Sequence, residues 1–295
     1  MFAHPPFDPP QELYQQYLDS EIPEPVIGEW ADIEDDNSGY MPVTRKGKVP
    51  ENRLRRARAA YYALIAHLDF EIGKFINIMQ EFGVLNNTII LFTSDHGEML
   101  GDHHRFAKSL PYEGSSAVPF IIHDSGNHLK LKRGSRVEQT VELRDIMPTL
   151  LDAAGVESPD TVDGKSVLPL AQGKKTEWRE YIHGEHSYGA ISNHYVTNGK
   201  EKYIWFSQTG EEQYFDLEND PHELTDRSKD EGYEERVSAL RLRLIHELKG
   251  REEGYSDGQC LVVGKKTKSL SEPYFINEEG ANECLYWQCG ETNYF

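Results

Sequence analysis

The stretch Asn87-Thr88-Ile89-Ile90-Leu91-Phe92-Thr93-Ser94-Asp95-His96-Gly97-Glu98 decides how the rest of the chain is read. From Asn87 to Ser94 it is β-branched and apolar without alternation. That is the pattern of a strand covered on both faces, and it implies a parallel sheet lying between helices. Polar residues begin abruptly at the carboxyl end, where open α/β sheets collect their ligands. Asp95 offers a hard oxygen and His96 a nitrogen, so the pair suits a metal ion. The same two residues also suit the cap of a following helix. Gly97 lets the chain turn.

Working outward, Leu54, Ala57, Tyr61, Leu64, Ile65, Leu68, Ile72, Phe75, Ile76 and Met79 recur at steps of three and four. They predict one amphipathic helix of roughly 30 residues that stops near Phe82-Gly83. Arg55, Arg56 and Arg58 at its start read as solvated, and His67 as a packing histidine. Downstream, Gly101-Asp102-His103-His104-Arg105 and Lys108 crowd ionisable groups into a loop. The apolar run from Ala117 to His123 then predicts a second strand. A polar loop between two apolar strands is how active-site loops are carried. Cations beside a metal suit an anionic group such as sulfate or phosphate, whose oxygens they would neutralise.

Composition narrows the partners. The chain has 295 residues and a formal net charge of −19, which repels phosphate backbones and anionic lipid. Nucleic-acid and membrane binding are therefore not expected, and no apolar run approaches the roughly 18 residues of a membrane span. Cys260, Cys284 and Cys289 are odd in number, so a disulfide framework is not indicated, which fits a reducing, cytoplasmic compartment. Met1 does not open a signal peptide, since His4-Pro5-Pro6 follows. A leader carried upstream would make the chain an exported one.

The first residues, Phe2-Ala3-His4-Pro5-Pro6-Phe7-Asp8-Pro9-Pro10, form an irregular, proline-stiffened run with aromatic residues set as if positioned. Leu143, Ile146, Met147, Leu150, Leu151 and Ala154 predict a short helix closed by Gly155, with Asp145 as its cap. Beyond Gln172-Gly173 the period becomes two. Residues 194–197 and 202–206 read as a hairpin turning at Asn198-Gly199, residues 213–217 as a third strand, and Tyr233 to Lys249 as a helix.

In order, Tyr61-Tyr62-Ala63-Leu64-Ile65-Ala66-His67-Leu68-Asp69, Thr88 to Glu98, Gly101-Asp102-His103, Lys108, Tyr112-Glu113, Asp145 to Gly155, Asp163-Gly164-Lys165-Ser166 and Tyr214 to Glu223 resemble the sulfatase family. That family lies within the alkaline phosphatase superfamily, and the resemblance covers roughly residues 1–250. It implies an α/β fold: part of an alkaline-phosphatase-like sandwich with a mostly parallel central sheet flanked by helices. Residues 1–172 would be the carboxyl-terminal part of the catalytic domain, and 173–295 a smaller antiparallel subdomain with a helix and tail. Carried over position by position, it makes Asp95 and His96 metal ligands. Lys108 and His4 would contact the sulfate, and His103 would reach the substrate. His183-Gly184-Glu185-His186 would line the pocket's rim or form a structural pair. The implied ion is Ca2+, with Mn2+ or Zn2+ as alternatives.

The sequence also departs from the family. Members carry an upstream pair of aspartates and a Cys- or Ser-x-Pro-x-Arg segment oxidised to the nucleophilic formylglycine. None of the three cysteines here stands in such a segment, and Asp35-Asp36 sits out of order. The expectation is a portion of a metal-dependent sulfatase that hydrolyses a small sulfate monoester, incomplete without the formylglycine-bearing region. A phosphonate or phosphate monoester hydrolase of the same superfamily and a non-catalytic remnant are the alternatives. Oligomeric state is left open.

Overall fold

A computed structural model describes residues 3–31, 44–188 and 191–265. Asp35-Asp36, Cys284, Cys289 and the tail beyond 265 lie outside the described residues. In chain order the elements are helix α1 (Gln11–Leu18), strand β1 (Thr44–Lys46), helix α2 (Glu51–Glu81) and strands β2 (Ile89–Thr93) and β3 (Arg105–Ala107). They continue with helix α3 (Glu113–Ser116), strand β4 (Phe120–Asp124) and helices α4 (Ile146–Ala153) and α5 (Leu168–Ala171). Last come strands β5 (Ile182–Tyr188), β6 (Ile191–Thr197), β7 (Lys202–Phe206) and β8 (Glu212–Phe215), then helix α6 (Glu234–Glu247).

The three-and-four pattern produces α2 at its expected length, and Gly83 follows its end at φ +70°. Ala57, Ala59, Ala60, Ala63 and Leu64 are buried, so small residues let the neighbouring chain approach closely. Tyr17 of α1 stacks on Tyr62, and Phe7 meets Tyr61 edge-on. Part of the stripe is not covered in the same way: Ile65 and Phe75 are exposed, whereas Met79 is buried. Two arginines correct the reading as solvated residues. Arg58 is buried and donates to the carbonyls of Pro23 and Leu100, while Arg55 donates to those of Leu18 and Ser20. Each guanidinium satisfies carbonyls that no ladder takes up, at the carboxyl end of α1 and in irregular chain.

The decisive stretch forms β2, and it pairs antiparallel with β4, Ile89 opposite Asp124 and Thr93 opposite Phe120. The α/β class holds, but every ladder between named strands among the described residues is antiparallel, not mostly parallel. A continuous apolar run specifies burial and leaves the direction of the neighbouring strand open. Phe92 and Ile121 also remain exposed, the latter at 56%.

Strands β5 to β8 form an antiparallel meander. Alternation along β7 divides its faces. Tyr203 and Trp205 pack with Val237, Leu240 and Leu244 of α6, whereas Ile204 joins Met99, Tyr112 and Phe215 on the other side. The meander is thus sandwiched between α6 and the loop that follows β2. The β6–β7 connection spans Asn198 to Glu201, longer than a two-residue turn. Asn198 Oδ1 accepts the amides of Lys200 and Glu201, and Gly199 takes φ +83°.

Lys202 lies on the Ile204 side of β7, fully buried. Its ammonium donates to Pro111 O at 2.8 Å and contacts Glu113 at 2.6 Å and Glu223 at 2.9 Å. Burial disfavours the charge, but the two carboxylates outweigh it and hold the lysine above its ordinary pKa. Replacing it with methionine strands the equally buried Glu223 carboxylate. Lys202→Met is expected to destabilise the fold by about 3–5 kcal/mol, read as a lowered urea midpoint at unchanged m-value.

Candidate functional site

Beyond β2 the backbone turns sharply. Gly97 donates to Ser115 O at 2.8 Å, and a Cβ on Gly97 would fall 2.1 Å from Gly114 O. The glycine is therefore needed for close approach to α3 as well as for turning. Glu98 then reaches across the loop and accepts the amides of Leu100 at 3.1 Å and Ala107 at 2.6 Å. Burial raises its pKa against those two hydrogen bonds.

Between Leu100 and Ser109 five non-glycine residues have positive φ: Leu100, His103, His104, Ala107 and Ser109. Each such residue costs about 1–2 kcal/mol, and so dense a set persists only where its surroundings over-determine it. Here the surroundings are the Glu98 contacts, Met99 N–H donating to Ala107 O, and Asn193 Nδ2 donating to Ser109 O. Two of the strained residues flank Lys108, so its direction is fixed from both sides.

Lys108 Nζ lies 2.8 Å from His96 Nε2 and 3.2 Å from His4 Nε2. In both histidines Nδ1 lies against a carbonyl, Gly97 O at 2.7 Å and Pro5 O at 2.8 Å. Nδ1 must then carry the proton and donate it, leaving each Nε2 as an acceptor for the ammonium. Three residues far apart in sequence thus share one hydrogen-bonded cluster. Asp95 is beside it, its carboxylate 84% exposed with Oδ2 3.5 Å from His96 Nε2. Once Lys108 turns away from His96 Nε2, the oxygen and nitrogen of this pair, with the histidine tautomer fixed from behind, fit a divalent cation. Among the described residues no third His, Cys or carboxylate joins them, so they fit as part of a larger ligand set.

His103 is elsewhere. It is 2% exposed, accepts the Gly28 amide at Nδ1 (3.0 Å) and lies against Trp30 and Tyr112. The expectation that it reaches substrate is corrected: its position serves packing, tying residues 26–30 to the loop. Burial, then Arg105, push its pKa down to about 4.

A cavity of about 600 Å³ is lined by Asp95, His96 and Lys108, and from the meander by His183, Glu185 and Asn193. His4 lines a separate hollow with Asp8 and His67. Burial lowers the His183 pKa to about 4, whereas Glu185, despite burial, is held down at about 2 by His194 and Arg251. His194, fully buried on β6, was not singled out from the sequence; its signal is register, since it faces Glu185 directly. Asp145 stands at the N-cap position of α4, but its side chain makes no capping hydrogen bond there. Fully buried, it accepts Arg179 at 2.6 and 2.8 Å and the Lys165 amide at 2.8 Å.

The comparisons with known proteins come to the same family from independent directions. The sulfatase family model matches residues 3–156, just over half of the chain. The model for the carboxyl-terminal part of N-sulphoglucosamine sulphohydrolase matches 101–250. An arylsulfatase of Clostridium perfringens is 52% identical over 268 residues, covering 90% of this chain and 56% of that protein. A choline-sulfatase of Rhizobium meliloti is 35% identical over 76% of this chain and 44% of its own length. The crystal structure of a phosphonate monoester hydrolase of Agrobacterium radiobacter superposes with a TM-score of 0.59 at 30% identity. That match covers 65% of this chain and 41% of the other. The chain therefore spans about half the length of the curated relatives it matches.

Titration of His103 gives a stability signature. Its folded-state pKa lies below the ordinary value of 6.5, so the neutral ring stabilises the fold above that pH. The contribution is lost as pH falls from 6.5 towards 4. The melting temperature should drop over this window. His103→Asn, which keeps an acceptor for Gly28 but does not titrate, should show a shallower drop; an identical slope would show that His103 does not drive it.

Proposed function

The chain belongs to the sulfatase family, and we propose that it carries the sulfate-holding side of a hydrolase that cleaves a small sulfuric monoester with a divalent cation. The observation that carries this reading is the Lys108 ammonium held between His4 Nε2 and His96 Nε2. An entering sulfate group offers oxygens in place of the imidazole acceptors. Lys108 would turn its protons to them and to the leaving oxygen as the S–O bond lengthens and charge develops there. His4, its tautomer set by Pro5 O, would orient the group and exchange a proton at Nε2. Asp95 and His96 would hold the cation, Ca2+ by the hardness of the carboxylate, with Mn2+ or Zn2+ suited by the imidazole. That ion supplies Lewis-acid polarisation of a sulfate oxygen.

The formylglycine nucleophile would come from a segment with the Cys- or Ser-x-Pro-x-Arg sequence, which residues 1–295 do not contain. Residues 1–172 would form the catalytic part and 173–295 the smaller subdomain that closes the cavity. A second reading, phosphonate or phosphate monoester hydrolysis, is favoured by the likeness to the Agrobacterium enzyme, because Lys108 and the histidines would grip either tetrahedral anion.

The test compares hydrolysis of 4-nitrophenyl sulfate and 4-nitrophenyl phenylphosphonate. It is run with the chain alone and with the chain assembled with a formylglycine-bearing segment. Turnover of the sulfate ester by the assembled protein is expected, with Lys108→Ala lowering kcat/KM by about 10²–10³-fold. Preference for the phosphonate would establish the second reading. A Lys108→Ala variant as active as the parent would overturn both, and inactivity in every combination would leave a non-catalytic chain.

A further inference from the structure

We propose that His183, Glu185 and His194 form a second cation site, separate from Asp95 and His96, that takes a zinc-like divalent ion with three protein ligands and one position open to the cavity. His183 and Glu185 project from one face of β5, two residues apart, and His194 stands opposite Glu185 on β6. His194 Nδ1 is 3.3 Å from His183 Nε2 and 3.3 Å from a Glu185 oxygen, and the two imidazole planes lie within 6° of parallel. All three ligand atoms fall within 4.8 Å of one another.

Counting lone pairs against protons shows why a cation suits this geometry. The converging atoms are two ring nitrogens and a carboxylate oxygen, each with an electron pair aimed at the others. A proton on one nitrogen can serve one neighbour well and leaves the remaining pair facing another acceptor. Such under-protonated clusters are costly where water is excluded, and His194 is 1% exposed and His183 half-buried, Glu185 alone keeping a side open to solvent. One cation engages all three electron pairs together. The other Glu185 oxygen is occupied by Arg251 at 2.7 Å, which orients the carboxylate from behind as outer partners of metal sites do. Two imidazoles and one carboxylate form the donor set of open zinc sites and are too nitrogen-rich for calcium. Because His183 and Glu185 line the same cavity as Lys108, the open position would face a bound ligand, available to an anionic or hydroxyl group remote from the ester.

The test is titration of the 295-residue chain with Co2+, followed by the visible d–d absorption of four-coordinate cobalt and displaced by Zn2+. One equivalent producing that band is expected, retained in Asp95→Asn. His183→Ala should weaken cobalt binding at least about 100-fold, and Glu185→Gln about 10-fold or more. Far-UV circular dichroism and melting of each variant separate loss of the site from loss of the fold. If His183→Ala does not fold, Glu185→Gln decides. Absence of the band in the parent, its persistence at parental affinity in both β5 variants, or its loss in Asp95→Asn alone would overturn the proposal.

Discussion

A buried ammonium anchors the chain that follows the Lys108 loop to the meander. Lys202 belongs to the meander, but every acceptor it contacts belongs elsewhere: Pro111 and Glu113 after the Lys108 loop, Glu223 after β8. Glu223 also accepts the Glu113 amide, and its own carbonyl accepts the Trp30 indole. Trp30 in turn stacks on Tyr112. The carbonyl and carboxylates around Lys202 therefore define where residues 111–113 sit, only a few positions from Lys108. Water cannot substitute for any of these contacts, because ammonium and Glu223 are both shut away from it.

That anchoring explains how the strained run from Leu100 to Ser109 persists. A loop with five left-handed residues would relax if it were only a surface connection. It is instead clamped from within by Glu98, from the sheet by Asn193, and from below by the packing of Met99 and Tyr112 on Ile204 and Phe215. The cost of the conformation is offset by burial, and the result is a lysine whose approach to two imidazoles is fixed before any ligand arrives. Preorganisation of this kind is what electrostatic stabilisation of a developing charge requires.

Much of this was legible in the sequence, for local reasons. The helix 51–81, the strands at 89–93 and 120–124, the last three strands of the meander and α6 follow from period, turn residues and capping glycines, whereas β5 had no such signal. The convergence of His4, His96 and Lys108 followed from family resemblance, since no local pattern links position 4 to position 108. What the sequence concealed was non-local. An apolar run states that a strand is buried but not which way its neighbour runs. His103 carries the same label as a ligand histidine until the Gly28 amide and the Trp30 ring are placed beside it. Arg58 looks solvated until the carbonyls of Pro23 and Leu100 arrive. His194 acquires meaning only through strand register.

The contact between His4 and Lys108 closes a span of 104 positions, and this has a consequence for the order of assembly. Ring closure over such a distance gains little until the intervening helix and loop are in place. The cluster should consequently be among the last features to form and the first to come apart under proteolysis or mild heating. A preparation clipped after Pro10 would keep its helices, its meander and its far-UV spectrum while holding no intact site. For this molecule, spectroscopic nativeness and functional intactness are separate quantities.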